Sequence, residues 1–291
     1  MRGLLSYRET LVPHSGRGKG LGIAPILLSA DRKSYSGVVA MADVRASGLI
    51  TMTFDDGLLC QFENGYSVLC RNGVKGVVFI PTGLVGGWHE GQRSMSRSHL
   101  RELAAAGWEV ASHTVSHTRL ANKAGQTRLP LSAVEVELHE SREWLIANGF
   151  PVIAFAYPNG RYNDEIEAIA CRYYRYVRTT ENGLNEVSSG ERRLKAFDLC
   201  QRKVYQWRPA VDAARVSKKW LIAMIHGVAR SADQIPTGQE SLWIARDDLA
   251  DCLQYALSSG LPVRTFQEVY DGCQDLPERA ERISDSSQRS P

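Results

Sequence analysis

The chain has 291 residues, 43% of them hydrophobic and 23% charged, with a formal net charge of +3. That length is too great for a small disulfide-stapled module and suits one globular domain with extensions, and the composition excludes global disorder and fibrous repeats. No apolar run reaches the ~18–20 residues of a bilayer-spanning helix, and 35 basic against 32 acidic residues is too even a balance for a nucleic-acid footprint.

Residues 1–48 are irregular, carry no motif and are read as an N-terminal extension. Charges run through their first stretch without a continuous apolar segment, so no secretory signal is read and a cytoplasmic protein is expected. Leu49–Phe54 is a short β-rich run ending in Asp-Asp-Gly. A helix over 58–71 stops at Asn72-Gly73, and a buried strand over 77–80 closes at Pro81. A helix over 98–106 ends at Gly107 and leads into a strand over 108–111. A helix over 132–148 ends at Gly149, followed by a strand over 152–157, a helix over 163–173 and a short strand over 176–179. An apolar strand over 219–225 ends in His226-Gly227; a helix over 247–259 and a last strand over 262–265 complete the pattern. The polar end, with a tail assigned to 271–291, reads as disordered. Six cysteines far apart, with no C-x-x-C, are expected as free thiols.

Strand and helix alternating this regularly imply parallel β/α units, either a barrel or an open sheet. Both architectures gather chemistry at the C-terminal ends of their strands, and the candidate residues all fall there. Asp55 and Asp56 directly follow the first strand. They read either as a polar turn or as a pair in which one carboxylate holds a metal and the other stays free as a base. His113 and His117, four apart, place two imidazoles on one face of a helical turn, within reach of one cation. Two imidazoles and a carboxylate leave an open position, the usual pattern of a catalytic zinc site. The turn Tyr157-Pro158-Asn159-Gly160 ends another strand, and its backbone N–H groups suit an oxyanion. His226, if its strand joins the same sheet, is placed as a general acid; a lone histidine there is more often a satisfied core residue. His14, His89, His99 and His139 have no partner at a useful spacing and are read as surface residues.

The order Thr53-Phe54-Asp55-Asp56-Gly57, then His113-Thr-Val-Ser-His117, then Tyr157-Pro158-Asn159-Gly160, then Ile225-His226 resembles the motifs of the polysaccharide deacetylases, carbohydrate esterase family 4 or NodB homology domain. The resemblance covers about residues 49–270, which are expected to form the catalytic domain. It implies a distorted (β/α) barrel and a divalent metal, most often zinc. It implies Asp56, His113 and His117 as ligands, Asp55 as general base, His226 as general acid, and the backbone N–H of Asn159, in the turn opened by Tyr157, as an oxyanion donor. Two positions depart from the family pattern. Its frequent arginine two residues before the third-motif proline is Ala156 here, which leaves Arg161 or Arg202 as replacement cations, and Asn159 stands where an aromatic is usual. Asp198, with Trp207, is the candidate for the fourth motif. The expected activity is metal-dependent removal of an N-acetyl group from an amino sugar. The same machinery on another acyl substrate, or a non-catalytic sugar-binding relative, are the alternatives. Expected substrates include a nucleotide sugar, a glycosylated metabolite or a lipid-linked precursor at the inner membrane face.

Overall fold

The computed structural model describes residues 47–274. The expected N-terminal extension and tail lie almost wholly outside that range. Eight strands form one parallel sheet in the order β8-β7-β6-β5-β2-β1-β10-β9. They are β1 (Leu49–Phe54), β2 (Val77–Ile80), β5 (Glu109–Ser112), β6 (Ala154–Ala156), β7 (Tyr176–Arg178), β8 (Glu191–Leu194), β9 (Phe197–Asp198) and β10 (Trp220–Ile225). Only Lys195 and Ala196 separate β8 from β9, so one extended segment pairs first with β7 and then with β10 and carries the sheet round into a distorted barrel. Two small ribbons complete the strands: an antiparallel hairpin, β3 (Trp88–His89) with β4 (Gln92–Arg93), and a parallel pair, β11 (Gly227–Ala229) with β12 (Trp243–Ala245).

Because strand side chains alternate between faces, each strand feeds two cores. Leu49, Val77, Phe79, Ala111, Ala154, Ala156, Tyr176, Ile222 and Met224 share one cluster with Phe266, which fills the barrel interior. Their neighbours Ile50, Met52, Phe54, Val78, Val110, Phe155, Val177, Leu221 and Ile225 belong to the other cluster and pack under the helices. Those helices are α1 (Ser67–Arg71), α2 (Arg97–Ala105), α3 (Leu131–Ala147), α4 (Asp164–Tyr173), α5 (Val204–Ser217), α6 (Arg246–Ser258) and α7 (Phe266–Gln274). Local chemistry sets their ends. Ser96 and His99 form a reciprocal capping box on α2, and the Asn163 side chain accepts from the Ile166 N–H at 2.9 Å to start α4.

Two expected elements differ, and one helix is additional. The segment 262–265 is not a strand: it makes one isolated parallel bridge, Val263 to Ile50, with Arg264 N–H donating to the Ile50 carbonyl. The helix before residue 71 is wound as a π-helix over Gln61–Tyr66 before α1 begins. Helix α5, with Pro209 inside it, was not anticipated. The six cysteines are all free, and no described helix is long and apolar enough to cross a membrane.

Candidate active site

The same alternation carries the site. On β1 the inward positions run Leu49, Thr51, Thr53, and the next one falls on Asp55, just past the strand end. On β10 they run Trp220, Ile222, Met224 and then His226; on β5, Ala111 and then His113; on β7, Tyr176 and then Arg178. Each of these four strands therefore delivers one ionisable or metal-binding side chain to the C-terminal rim of the barrel, with the apolar interior beneath it.

The rim backbone is bent to suit. Asp56, Thr114, His117 and Asn159 all have positive φ, at 73°, 69°, 59° and 56°. Non-glycine residues seldom adopt this region, and those that do cluster at functional sites. The four-residue spacing of His113 and His117 is therefore not a helical turn, as expected from sequence, but an irregular loop with two left-handed residues. It still brings both rings to Asp56: the carboxylate Oδ1 lies 3.4 Å from His113 Nε2 and 3.1 Å from His117 Nε2. These three side chains form a cluster whose ligand atoms all lie within 4.8 Å of one another.

Hydrogen bonding fixes which nitrogen faces the cluster. His113 Nδ1 lies 2.7 Å from the carbonyl of Ala156, which can only accept, so Nδ1 carries the proton and Nε2 presents a lone pair toward Asp56. Burial lowers the basicity of His113 and favours its neutral form.

Asp55 is 2% exposed. Its Oδ2 accepts from Arg178 Nη2 at 2.5 Å and lies 3.9 Å from His226 Nε2, whereas Oδ1 has no partner. Arg178, 1% exposed, also donates from Nη1 to the Thr179 carbonyl at 3.0 Å, and its guanidinium sits over the Phe79 ring at 5.0 Å. The cation beside Asp55 is thus neither Arg161 nor Arg202. Arg202 is 64% exposed and pairs with Glu240 at 3.6 Å. Arg161 lines the cavity, but no ion pair joins it to Asp55. Arg178 and Ala156 are register partners on adjacent strands: the arginine expected at the third motif is supplied from one strand over.

A second residue missed from sequence is Gln61, buried in the first turn of the π-helix. Its amide donates to the carbonyls of both Asp55 and His226, the latter at 2.8 Å, and so ties together the ends of β1 and β10. π-Helical turns recur at functional sites, but residue type alone gives no sign of one.

A cavity of about 230 Å³ opens over these groups, lined by Asp55, Asp56, His113, His117 and His226 together with Asn159, Arg161 and Asp198. Asp198 Oδ1 and His226 Nδ1 are both buried and unpartnered at this cavity, and the other Asp198 oxygen accepts from Lys203 at 2.8 Å. Trp207 belongs to the core, donating to the Cys252 carbonyl. The Tyr157 side chain lies in the helix-side core, stacked on Tyr162 at 4.8 Å, and does not line the cavity. Among the histidines read as surface residues, His139 is exposed and His99 caps α2, but His89 is buried beside Asp56; His14 lies outside the described residues.

Residues 43–176 match the family model described as polysaccharide deacetylase. Over that stretch the chain is similar to the polysaccharide deacetylases. A curated protein of Bacillus subtilis, YxkH, provisionally described as a polysaccharide deacetylase, is 29% identical over 137 residues, which is 46% of this chain and 45% of the relative. The chain thus spans about half the length of that relative. Among solved structures, the Streptococcus pyogenes deacetylase PplD in complex with acetate is 26% identical, covering 50% of this chain and 62% of that one with a TM-score of 0.45. A polysaccharide deacetylase from Bacillus cereus is 27% identical, covering 50% and 45%, with a TM-score of 0.41. Both carboxylates of the candidate site and both histidines of its loop lie inside the matched stretch, whereas Arg178 and His226 lie beyond it.

Proposed function

We propose that this chain belongs with the polysaccharide deacetylases it resembles and is a metal-dependent amide hydrolase that removes an N-acetyl group from an amino sugar. The observation that carries the reading is the His113–Asp56 contact. A neutral imidazole lone pair and a carboxylate oxygen, both acceptors, face each other at 3.4 Å beside a second imidazole. Two acceptors held this close in a largely buried site call for a cation between them. One carboxylate and two imidazoles are the donor set that suits zinc with a position left open. We therefore assign Asp56, His113 and His117 as the residues that would hold it. A divalent cation bound there supplies Lewis acidity toward the amide carbonyl and makes a water acidic enough to ionise near neutral pH.

An amide is a weak electrophile with a poor leaving group, so its hydrolysis needs a base for the attacking water and an acid for the departing nitrogen. Asp55 and His226 fill those roles. The Arg178 pair holds the Asp55 carboxylate in place and offsets its burial, and His226 Nε2 lies 3.9 Å from the same oxygen. Two groups this close can relay one proton from water to nitrogen. Asn159, in its left-handed turn at the cavity wall, is assigned the backbone N–H that faces the developing oxyanion. Asp198 lines the same cavity but pairs with Lys203 and makes no hydrogen bond to His226, so it is given no step. A lipid-linked substrate finds no support among the described residues and is not part of the proposal.

The test is acetate release from a panel of N-acetylated amino sugars, free and nucleotide-linked, with zinc-loaded protein and Asp55→Asn as the blank. Acetate appearing only with wild type supports the reading. Release of formate, or opening of a cyclic amide, in place of acetate would overturn the substrate class. No turnover of any amide would overturn the activity.

A further inference from the structure

The residues around the proposed cation do not end with Asp56, His113 and His117. We propose that His89 is a fourth protein ligand of the same cation, an inference that rests on the metal site proposed above.

His89 comes from the hairpin β3–β4, a short insertion between β2 and α2. The loop residues Glu90 and Gly91 both have positive φ, 47° and 80°, the conformation of a tight two-residue hairpin turn. The hairpin is seated against the loop that carries Asp56. Met95 N–H donates to the Gly57 carbonyl at 2.8 Å, Gly86 N–H donates to the Met95 carbonyl at 2.8 Å, and Leu58 bridges to Ser94. His89 is therefore placed by backbone contacts to the residue immediately after Asp56.

Its side chain is only 8% exposed, and its buried Nε2 has no hydrogen-bond partner. That nitrogen lies 3.9 Å from Asp56 Oδ1, and the ring meets the His117 ring edge-on at 4.4 Å between centroids. At 3.9 Å the contact is too long for a hydrogen bond. A buried imidazole nitrogen held next to a carboxylate and a second imidazole, yet bonded to neither, is accounted for by a cation shared among all of them.

The spacings measured from Asp56 Oδ1 suit one shared ion, and His89 groups in turn with His117 and Glu90. Ligand atoms on a metal with bonds of ~2.0–2.1 Å stand ~2.9 Å apart at right angles, ~3.3 Å apart in a tetrahedron and up to ~4.1 Å apart when opposed. The separations from Asp56 Oδ1 to His117, His113 and His89 are 3.1, 3.4 and 3.9 Å, all within that span. His89 would hold the ion from the hairpin side of the cluster. Glu90, whose carboxylate groups with His89 and His117, adds negative charge at the cavity mouth. The ion in turn fastens the hairpin to the barrel rim.

The test uses the full chain loaded with zinc or cobalt. X-ray absorption of the zinc-loaded wild type should count three imidazoles. His89→Ala and His89→Gln should each lower zinc affinity at least tenfold in competition with a chromophoric chelator and alter the visible absorption of the cobalt form. The far-ultraviolet circular dichroism of the metal-free variants should match wild type. Two imidazoles in wild type, or His89 variants within twofold of wild-type affinity with an unchanged cobalt spectrum, would overturn the inference. If His113→Ala nevertheless strips the ion, the three-residue site stands without His89. If wild type binds no divalent ion at all, both readings fall.

Discussion

Replacing Arg178 with methionine tests the barrel-interior ion pair directly. Methionine keeps much of the apolar stem and removes the charge, leaving the Asp55 carboxylate 2% exposed with no cation in contact. One Asp55 oxygen is already unpartnered, so the variant strands both sides of the group. Breaking a buried pair by removing one partner typically costs about 3–5 kcal/mol, because an uncompensated charge remains. For a domain of this size that corresponds to a fall in Tm of about 6–20 °C. Asp55→Asn removes the charge and keeps an acceptor for the guanidinium, so its cost should be smaller. The double variant Arg178→Met/Asp55→Asn should recover more than half of the single-variant loss, a coupling of about 2–3 kcal/mol. The assay is thermal and urea unfolding of all four proteins in the same metal-loading state. An Arg178→Met cost below about 1 kcal/mol, or additive effects within about 0.5 kcal/mol, would show that the pair does not compensate a buried charge.

His226→Ala should slow amide hydrolysis far more than hydrolysis of an activated ester, whose leaving group needs no proton; equal losses would count against the acid role. Gly160→Ala should destabilise the protein by about 1–3 kcal/mol and weaken turnover, because φ is 62° there and a Cβ would collide with the Thr180 side chain at the cavity wall; a neutral effect in urea unfolding would refute the crowding. Glu109, at the far end of the barrel, should tie stability to pH. Burial pushes its carboxyl up to about 7 from 4.5, against N–H donors such as that of Gln267. Between those values the folded chain holds a proton that the unfolded chain has released, so stability falls as pH rises from 4.5 to 7, by up to about 3 kcal/mol. Glu109→Gln should remove that slope and be the more stable protein at pH 8; parallel pH–stability curves would contradict the assignment.

Much of the site was legible because its residues lie on strand ends. The pairs Asp55-Asp56 and His113/His117, and His226 after an apolar run, can be located once the β/α alternation is seen, and alternation also says which of them faces inward. Arg178 carries the same signal: Tyr-Val-Arg on β7 places the arginine inward at the rim. A short strand with a charge at its end reads equally as a surface edge, and only the register with Ala156 separates the two cases. His89 reads as a surface residue in sequence because its partners lie elsewhere in the chain and its hairpin strands are only two residues long. Gln61 depends on a π-helical winding that side-chain periodicity does not encode. The segment 262–265 has strand composition, yet it pairs with β1 at a single position before Phe266 turns into α7 to fill the barrel floor.

The most direct test of the central claim is to measure bound zinc and acetate release on the same samples of wild type, Asp55→Asn and His113→Ala. Wild type should hold one zinc per chain and turn over. Asp55→Asn, where the replaced carboxylate faces Arg178 rather than the histidine cluster, should hold one zinc without turnover, and His113→Ala should show neither zinc nor turnover. Zinc retained in full by His113→Ala, or near wild-type turnover in Asp55→Asn, would contradict the claim.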